Sequence, residues 1–364
     1  MSRLLQTGES PIGKVAPQGS LTVRQLLLGD VQGAQRWDNF VATCPRATFF
    51  HRAGWLSIIS EVFRHPTYFL YAERDGAIEA VLPLAHVKSL LFGNALVSLP
   101  FAVYGGVAAN DEAAAVALED EAQLIAERLG VDHVELRNFD QRHADWPTQD
   151  LYVCFRKALA SKVEANMMAI PRKQRAMVRK GISNGLRSEI DDDIDRFFPL
   201  YADNVLRHGT PALSRRYFQA LRETFGRDCD VLTVTDAQGR TVSSVLSFYF
   251  RDEILPYYAG DAVVARELAG NDFKYWELMR RACERGIRVF DYGRSKRGTG
   301  SFAFKKNWGF EPKPLFYEYR LYRRETIPQN NPSNTKYRLF IEAWRRLPLG
   351  VANRLGPLIV RNLG

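Results

Sequence analysis

The strongest restriction on this fold is an order of elements that occurs twice. In the first half, helical patterns near 38–42 and over 54–63 precede three strand-like runs at 67–73, 78–86 and 95–103. A helix rich in Ala, Glu and Leu over 112–129 and strands at 131–137 and 151–157 complete that half. The second half repeats it: helices over 171–184, 194–207 and 214–225, strands at 231–235, 241–251 and 253–259, a helix over 272–285, a strand at 288–292 and a closing strand at 315–322. Asp75 and Gly76 between two alternating runs are a hairpin signal. Two copies of one topology, about 150 residues apart, predict an α/β (α+β) protein of two similar domains. Each is expected to hold a mixed, mainly antiparallel sheet flanked by helices. The expected division is a disordered lead-in at 1–20, domains at 21–158 and 159–325, and a basic amphipathic tail at 326–364.

Length agrees with two domains, since 364 residues exceed the usual single core. The net charge of +9, from 50 basic and 41 acidic residues, suits an anionic partner such as a phosphorylated ligand or an anionic membrane face. Cys44, Cys154, Cys229 and Cys283 lie far apart with no ligand spacing, and the six histidines are scattered, so no metal site is expected. The first twenty residues have no apolar core of a secretory signal, and no apolar run reaches the roughly 18–20 residues of a membrane span. The expected location is the cytoplasm or the inner face of its membrane.

The chemistry concentrates in FDYGRSKRGTGSFAFKKNWGF, residues 290–310. Between Asp291 and Glu311 stand five cations, Arg294, Lys296, Arg297, Lys305 and Lys306, and no acid. Gly293, Gly298 and Gly300, with Ser295 among them, allow tight turns with exposed N–H groups, a cradle for a phosphate or an oxyanion. Phe302, Phe304, Trp308 and Phe310 would fix that turn; a solvated loop is the plain alternative. Lys305 and Lys306, adjacent on a helical turn, point about 100° apart, so only one can face a pocket. A second basic feature, PRKQRAMVRKGISNGLR, places Arg172, Arg175 and Arg179 on one helical stripe, for a polyphosphate or tRNA backbone. The alternative is a solvated face balanced by the acids of 189–195. His208, at the end of a helix closed by Gly209 and Pro211, is a candidate base, as are Asp291 and Tyr258. In the first half Gly105 and Gly106 allow close backbone approach, where Tyr104 could present its hydroxyl to a substrate; a plain turn is the alternative. The tail 336–364 has six cations and a single acid, Glu342, with Tyr337, Phe340, Ile341, Trp344 and Leu347 at helical spacing. It either packs back on the domain or touches an anionic membrane.

Taken together, HRAGWLSIISEVF, LVSLPFAVYGG, RKQRAMVRKGISNGL, RHGTP, YYAGD and FDYGRSKRGTGSFAFKKNWGFEP resemble the FemAB branch of the GNAT-fold transferases, in particular the FemAB-like proteins associated with PEP-CTERM/exosortase systems. The resemblance implies tandem GNAT-like domains and acyl or aminoacyl transfer to an amine, in a setting of envelope or exopolysaccharide production. It also implies a working lysine in the Phe-Lys-x-x-aromatic-Gly motif, here Lys305, and an aminoacyl-tRNA donor. No R/Q-x-x-G-x-G/A pyrophosphate loop is found; the nearest frame, 295–300, begins with Ser295. The expected partners are therefore an anionic donor, aminoacyl-tRNA or acyl-CoA as co-substrate, and an amine acceptor. No tightly bound cofactor and no specific DNA binding are expected. An acyl-CoA-dependent enzyme and a non-catalytic envelope assembly factor on the same fold are the alternatives.

Overall fold

The computed structural model describes residues 19–89, 93–328 and 335–362, with side chains from 340 in the last segment. All but Gly19 and Ser20 of the predicted lead-in lies outside the described residues.

The strands are β1 (Thr22–Leu26), β2 (Thr67–Arg74), β3 (Ala77–Ser89), β4 (Gly93–Ser98), β5 (Ala108–Ala109), β6 (His133–Asn138), β7 (Thr148–Gln149), β8 (Tyr152–Ala158), β9 (Arg187–Asp191), β10 (Cys229–Thr235), β11 (Thr241–Phe250), β12 (Glu253–Asp261), β13 (Val289–Lys296), β14 (Pro312–Pro314) and β15 (Phe316–Leu321). They form two sheets, one in the order β1-β2-β3-β4-β6-β15-β7 with β5 on β3, the other β14-β8-β13-β12-β11-β10-β9. Among the described residues only β4 with β6 and β12 with β13 run parallel, so both sheets are mixed and mainly antiparallel, with helices around them, as the repeated order predicts.

The chain changes sheets twice. β7 belongs to the first sheet and β8, after Asp150 and Leu151, to the second; β14 lies in the second and β15, after Leu315, in the first. No single cut in the sequence separates the two sheets. A shared aromatic core reinforces the exchange, with Phe49 stacked on Phe248 of β11 at 4.3 Å between ring centroids and Trp55 packed beside both. All four cysteines are buried and free.

Local chemistry explains most elements. Asp75 and Gly76 both take positive φ, 50° and 79°, as the tight hairpin between β2 and β3 requires. Helix Glu112–Leu129 starts where Asp111 accepts from the Ala114 N–H at 3.0 Å and stops at left-handed Gly130. The helix predicted over 54–63 is a short α-turn, Trp55–Ser57, running into a π-helical turn, Ile58–Val62. The strand predicted over 95–103 ends at Ser98, because Leu99 and Phe101 turn to positive φ. The predicted loop over 293–306 is also different: β13 continues to Lys296, and a helix, Gly300–Asn307, follows, capped by the Thr299 hydroxyl.

Helix Phe197–His208 crosses β12 at Gly260, where an added Cβ would stand 2.4 Å from the backbone of Leu200 and Tyr201. Neither backbone can yield without lifting the helix off the sheet. Gly260→Ala is therefore expected to destabilise by about 3 kcal/mol, the upper end of ordinary overpacking, read as a lower urea midpoint. A midpoint unchanged in Gly260→Ala would contradict the contact.

Candidate functional site

The site is built on a strained loop and a bulged strand that meet between the sheets. After β4, non-glycine residues Leu99 and Phe101 hold φ of 51° and 68°, a conformation that persists only when neighbours impose it. Here four of the loop's carbonyls are taken by side chains. Arg137 donates to Leu99 O at 3.3 Å and to Ala102 O at 2.8 Å, the Tyr257 hydroxyl to Phe101 O at 2.7 Å, and the Tyr317 hydroxyl to Val103 O at 2.8 Å. The N–H groups of Gly105 and Gly106 both donate to Arg137 O. On the other side, His51 is buried and lowered to about 4 by that burial, so it is neutral. Its Nδ1 accepts from the Thr48 N–H, which leaves Nε2–H to donate to Gly106 O at 2.7 Å. Gly106 admits no side chain, since a Cβ there would meet Asn138 Oδ1 at 1.9 Å.

What this clamp positions is Tyr104. Its hydroxyl donates to Asp291 Oδ2 at 3.0 Å, joining the first half of the chain to the second. Asp291 lies where β13 loses register with β8 between Asp291 and Arg294, and the bulge turns on Gly293 at φ 64°. The Gly293 N–H donates back to Asp291 Oδ1 at 2.7 Å. The carboxyl is wholly buried, and burial raises its pKa; the Arg156 guanidinium 3.8 Å away, the Gly293 N–H and the Tyr104 hydroxyl hold it down. Arg156 also pairs with Glu253. Burial, with Asp291 as neighbour, pushes the Tyr104 phenol well above its usual value.

Lys305 closes the bulge from behind. Its ammonium donates to Tyr292 O at 2.6 Å, Arg294 O at 3.0 Å and Gly293 O at 3.3 Å. An ammonium has three hydrogens, so these carbonyls account for all of them. Only 9% of the residue is exposed; burial lowers its pKa to about 8, with Asp291 opposing the shift. Lys306 faces solvent, so the adjacent lysines divide as their helical spacing predicts. The expected role differs in kind, however: Lys305 aims at backbone carbonyls that the bulge frees, and not at the open space of a substrate.

That open space is a cavity of about 450 Å³ in front of Tyr104. Gly105 and Gly106, Arg137 and Asn138, and Arg156 and Glu253 form much of its wall, with Arg46 and Lys313 exposed among its other lining residues. Sequence reasoning found Tyr104, Asp291 and Lys305 but missed His51, Arg137, Asn138, Arg156 and Glu253. The only signals were that His51 opens HRAGW and that Arg137 and Arg156 are cations within strands.

Other predicted residues lie elsewhere. Arg294 sits against the rings of Tyr152 and Tyr317 and donates to the Tyr317 hydroxyl at 3.1 Å. Ser295 is buried and accepts from Ser301; Lys296 ends β13 opposite Tyr152; Gly298 and Gly300 are exposed. Trp308 is buried and donates to Asp272 at 3.0 Å. Tyr258 shares a 2.9 Å hydrogen bond with the Tyr217 hydroxyl inside an aromatic cluster. His208 is exposed, its Nδ1 2.6 Å from Asn204 O, at a helix end closed by Gly209. Arg172 and Arg179 are exposed, while Arg175 donates to Met168 O at 3.0 Å. Of the nearby acids, Glu189 and Asp191 pair with Arg196 and Asp195 with Arg215, so these three form no ion pair with the stripe.

Residues 172–306 match the family of acetyltransferase (GNAT) domains. No curated protein matches the chain in sequence. Among solved structures, that of FemX covers 82% of this chain and 97% of its own at 14% identity, with a TM-score of 0.59. The C-terminal domain of a putative lysylphosphatidylglycerol synthetase from Agrobacterium fabrum covers 81% and 92% at 13% identity and a TM-score of 0.57. A tandem GNAT protein from the clavulanic acid biosynthesis pathway covers 85% and 100% at 12% identity and a TM-score of 0.54. Fold and domain match together define the class, a tandem GNAT-fold protein whose residues 172–306 match an acetyltransferase-type domain.

Proposed function

We propose that the chain transfers an acyl group to an amine held in the cavity before Tyr104, and that the donor is an aminoacyl-tRNA. The observation that carries this reading is the Tyr104–Asp291 hydrogen bond. Because Tyr104 gives its hydrogen to Asp291, its oxygen offers lone pairs to the cavity. An incoming amine can donate an N–H to it. As the amine nitrogen bonds to the donor's carbonyl carbon, its proton passes to Tyr104 while the phenolic proton passes to Asp291, whose burial favours the protonated form. The donor's ester bond breaks, the leaving hydroxyl takes the proton back along the same relay, and an amide remains. Arg156 balances the charge of Asp291 between turnovers.

The donor assignment rests on two further features. Helix Arg172–Ser183 exposes Arg172, Lys173, Arg179 and Lys180, and no carboxylate among the described residues pairs with them, which suits a nucleic-acid backbone. Its start, at Pro171, touches Gly309, so this face adjoins the helix that carries Lys305. The loop after β12, in contrast, has Ala269 at φ 59° before helix Gly270–Glu284, whose first turn presents the carboxylate of Asp272. A pyrophosphate docked there would meet like charge. The FemAB resemblance points to an envelope or exopolysaccharide precursor as the amine acceptor.

Ligands that bind only the native state raise its melting temperature. Charged tRNA at about a hundred times its Kd should add about 2.7 kcal/mol of stability, read as a rise of several degrees, with acyl-CoA giving none. A rise with acyl-CoA and none with charged tRNA would establish the CoA-dependent reading. Product formation with neither donor would favour a non-catalytic assembly role.

A further inference from the structure

We propose that the C-terminal helix Leu349–Val360 is a docking surface for an anionic lipid bilayer; this does not rest on the transfer reaction. Among the described residues no helix is long and apolar enough to cross a membrane, so the contact would be peripheral.

The helix is firmly seated on one side. Trp344 and Ala352 form a small core with Leu206, and Gly356 lies so close to Ala212 that a Cβ would stand 2.9 Å from its carbonyl oxygen. Val360 packs on the main core, and the Arg361 carbonyl accepts from His65 Nε2 at 2.7 Å. Trp344 is 4% exposed and belongs to the seat, so this part of the tail packs back on the domain.

The opposite side remains apolar. Val351, Leu355 and Leu358 are 41%, 43% and 61% exposed, and at i, i+4 and i+7 they make one stripe. A helix that merely packed on the domain would carry polar residues there. Arg346 and Arg354 are exposed around the stripe, Arg361 follows it, and Glu342 is the one acid in residues 336–364. A second copy docked through this face would set these arginines against themselves. Anionic headgroups neutralise them while the leucines enter the acyl boundary, the arrangement of an interfacial helix. Charge thus selects a bilayer over self-association.

The test is flotation of the full chain with vesicles of phosphatidylglycerol in phosphatidylcholine, against phosphatidylcholine alone. Binding is expected on the anionic vesicles only. Arg346→Gln with Arg354→Gln should weaken it about thirtyfold, two charges at about 1 kcal/mol each. Leu355→Ser with Leu358→Ser should weaken it at least about tenfold. Melting temperature serves as the folding control, and the arginine pair keeps the test open if the serine pair melts early. Equal binding to neutral vesicles, or anionic binding that survives the leucine changes, would overturn the proposal. So would a wild-type dimer in sedimentation velocity that the serine pair dissociates, since the second copy would then be the occupant.

Discussion

Asp291→Asn is expected to lower single-turnover transfer by roughly 10²–10³-fold while leaving the fold intact, because it removes the proton acceptor behind Tyr104. The asparagine oxygen can still accept from the Gly293 N–H, and Arg156 keeps Glu253 as partner, so the bulge survives. Tyr104→Phe should lose a similar factor, since it breaks the same relay one atom earlier. Members of one proton path act as a unit, so the double variant should be no slower than the slower single. The discriminating measurement is the rate on enzyme saturated with donor, followed as labelled acyl group reaching a soluble amine. Turnover of Asp291→Asn within about threefold of wild type would remove Asp291 from the reaction and leave its bond to Tyr104 as a structural tie.

Lys305→Met should have the largest effect on stability, about 3–5 kcal/mol, a large part of a typical domain's total. Three buried carbonyls at the β13 bulge would lose their donor at once, and each unsatisfied buried group costs about 1–3 kcal/mol without full additivity. The urea midpoint reads this directly. The same lysine gives stability a pH signature. Its folded pKa of about 8 lies below the 10.5 of the free side chain, so the unfolded chain binds more protons across that interval. Stability therefore rises with pH once Lys305 begins to lose its proton, and the gain is lost as pH falls through about 8. Measured between about pH 8 and 9.5, below the range where unfolded tyrosines ionise, wild type should gain stability relative to Lys305→Met. Parallel curves for the two proteins would mean that Lys305 does not titrate in this window.

These residues also show what the sequence could and could not disclose. Helix Glu112–Leu129, the Asp75–Gly76 hairpin and the paired order of elements are local facts, legible in caps, turn residues and periodicity. So was the division of Lys305 from Lys306. β1, β9 and β14 went unread because TVRQL, RSEID and PKP lack apolar alternation; each lies at a sheet edge, where one neighbour suffices. The glycines of 293–300 suggested a loop, yet Gly293 turns a bulge inside a strand, and Thr299 starts a helix. The bond from Tyr104 to Asp291 spans 187 positions, and no spacing rule relates them. Nor does any pattern announce that Arg137, Tyr257 and Tyr317 converge on successive carbonyls of one strained loop. Those are consequences of which strands lie side by side.

The crossing of β8 and β15 into opposite sheets bears on how substrates reach the cavity. Many two-lobed proteins admit ligands by swinging their lobes about a hinge. Here such a swing would have to open the aromatic core where Phe49 stacks on Phe248 beside Trp55, and part Tyr104 from Asp291. The exchanged strands and the shared core tie the two lobes together. Access past the exposed side chains of Arg46 and Lys313 at the rim would leave both the core and the Tyr104–Asp291 contact undisturbed. The interlacing also makes the halves mutually dependent. A chain severed near residue 159 would yield two fragments, each lacking a strand that only the other can supply.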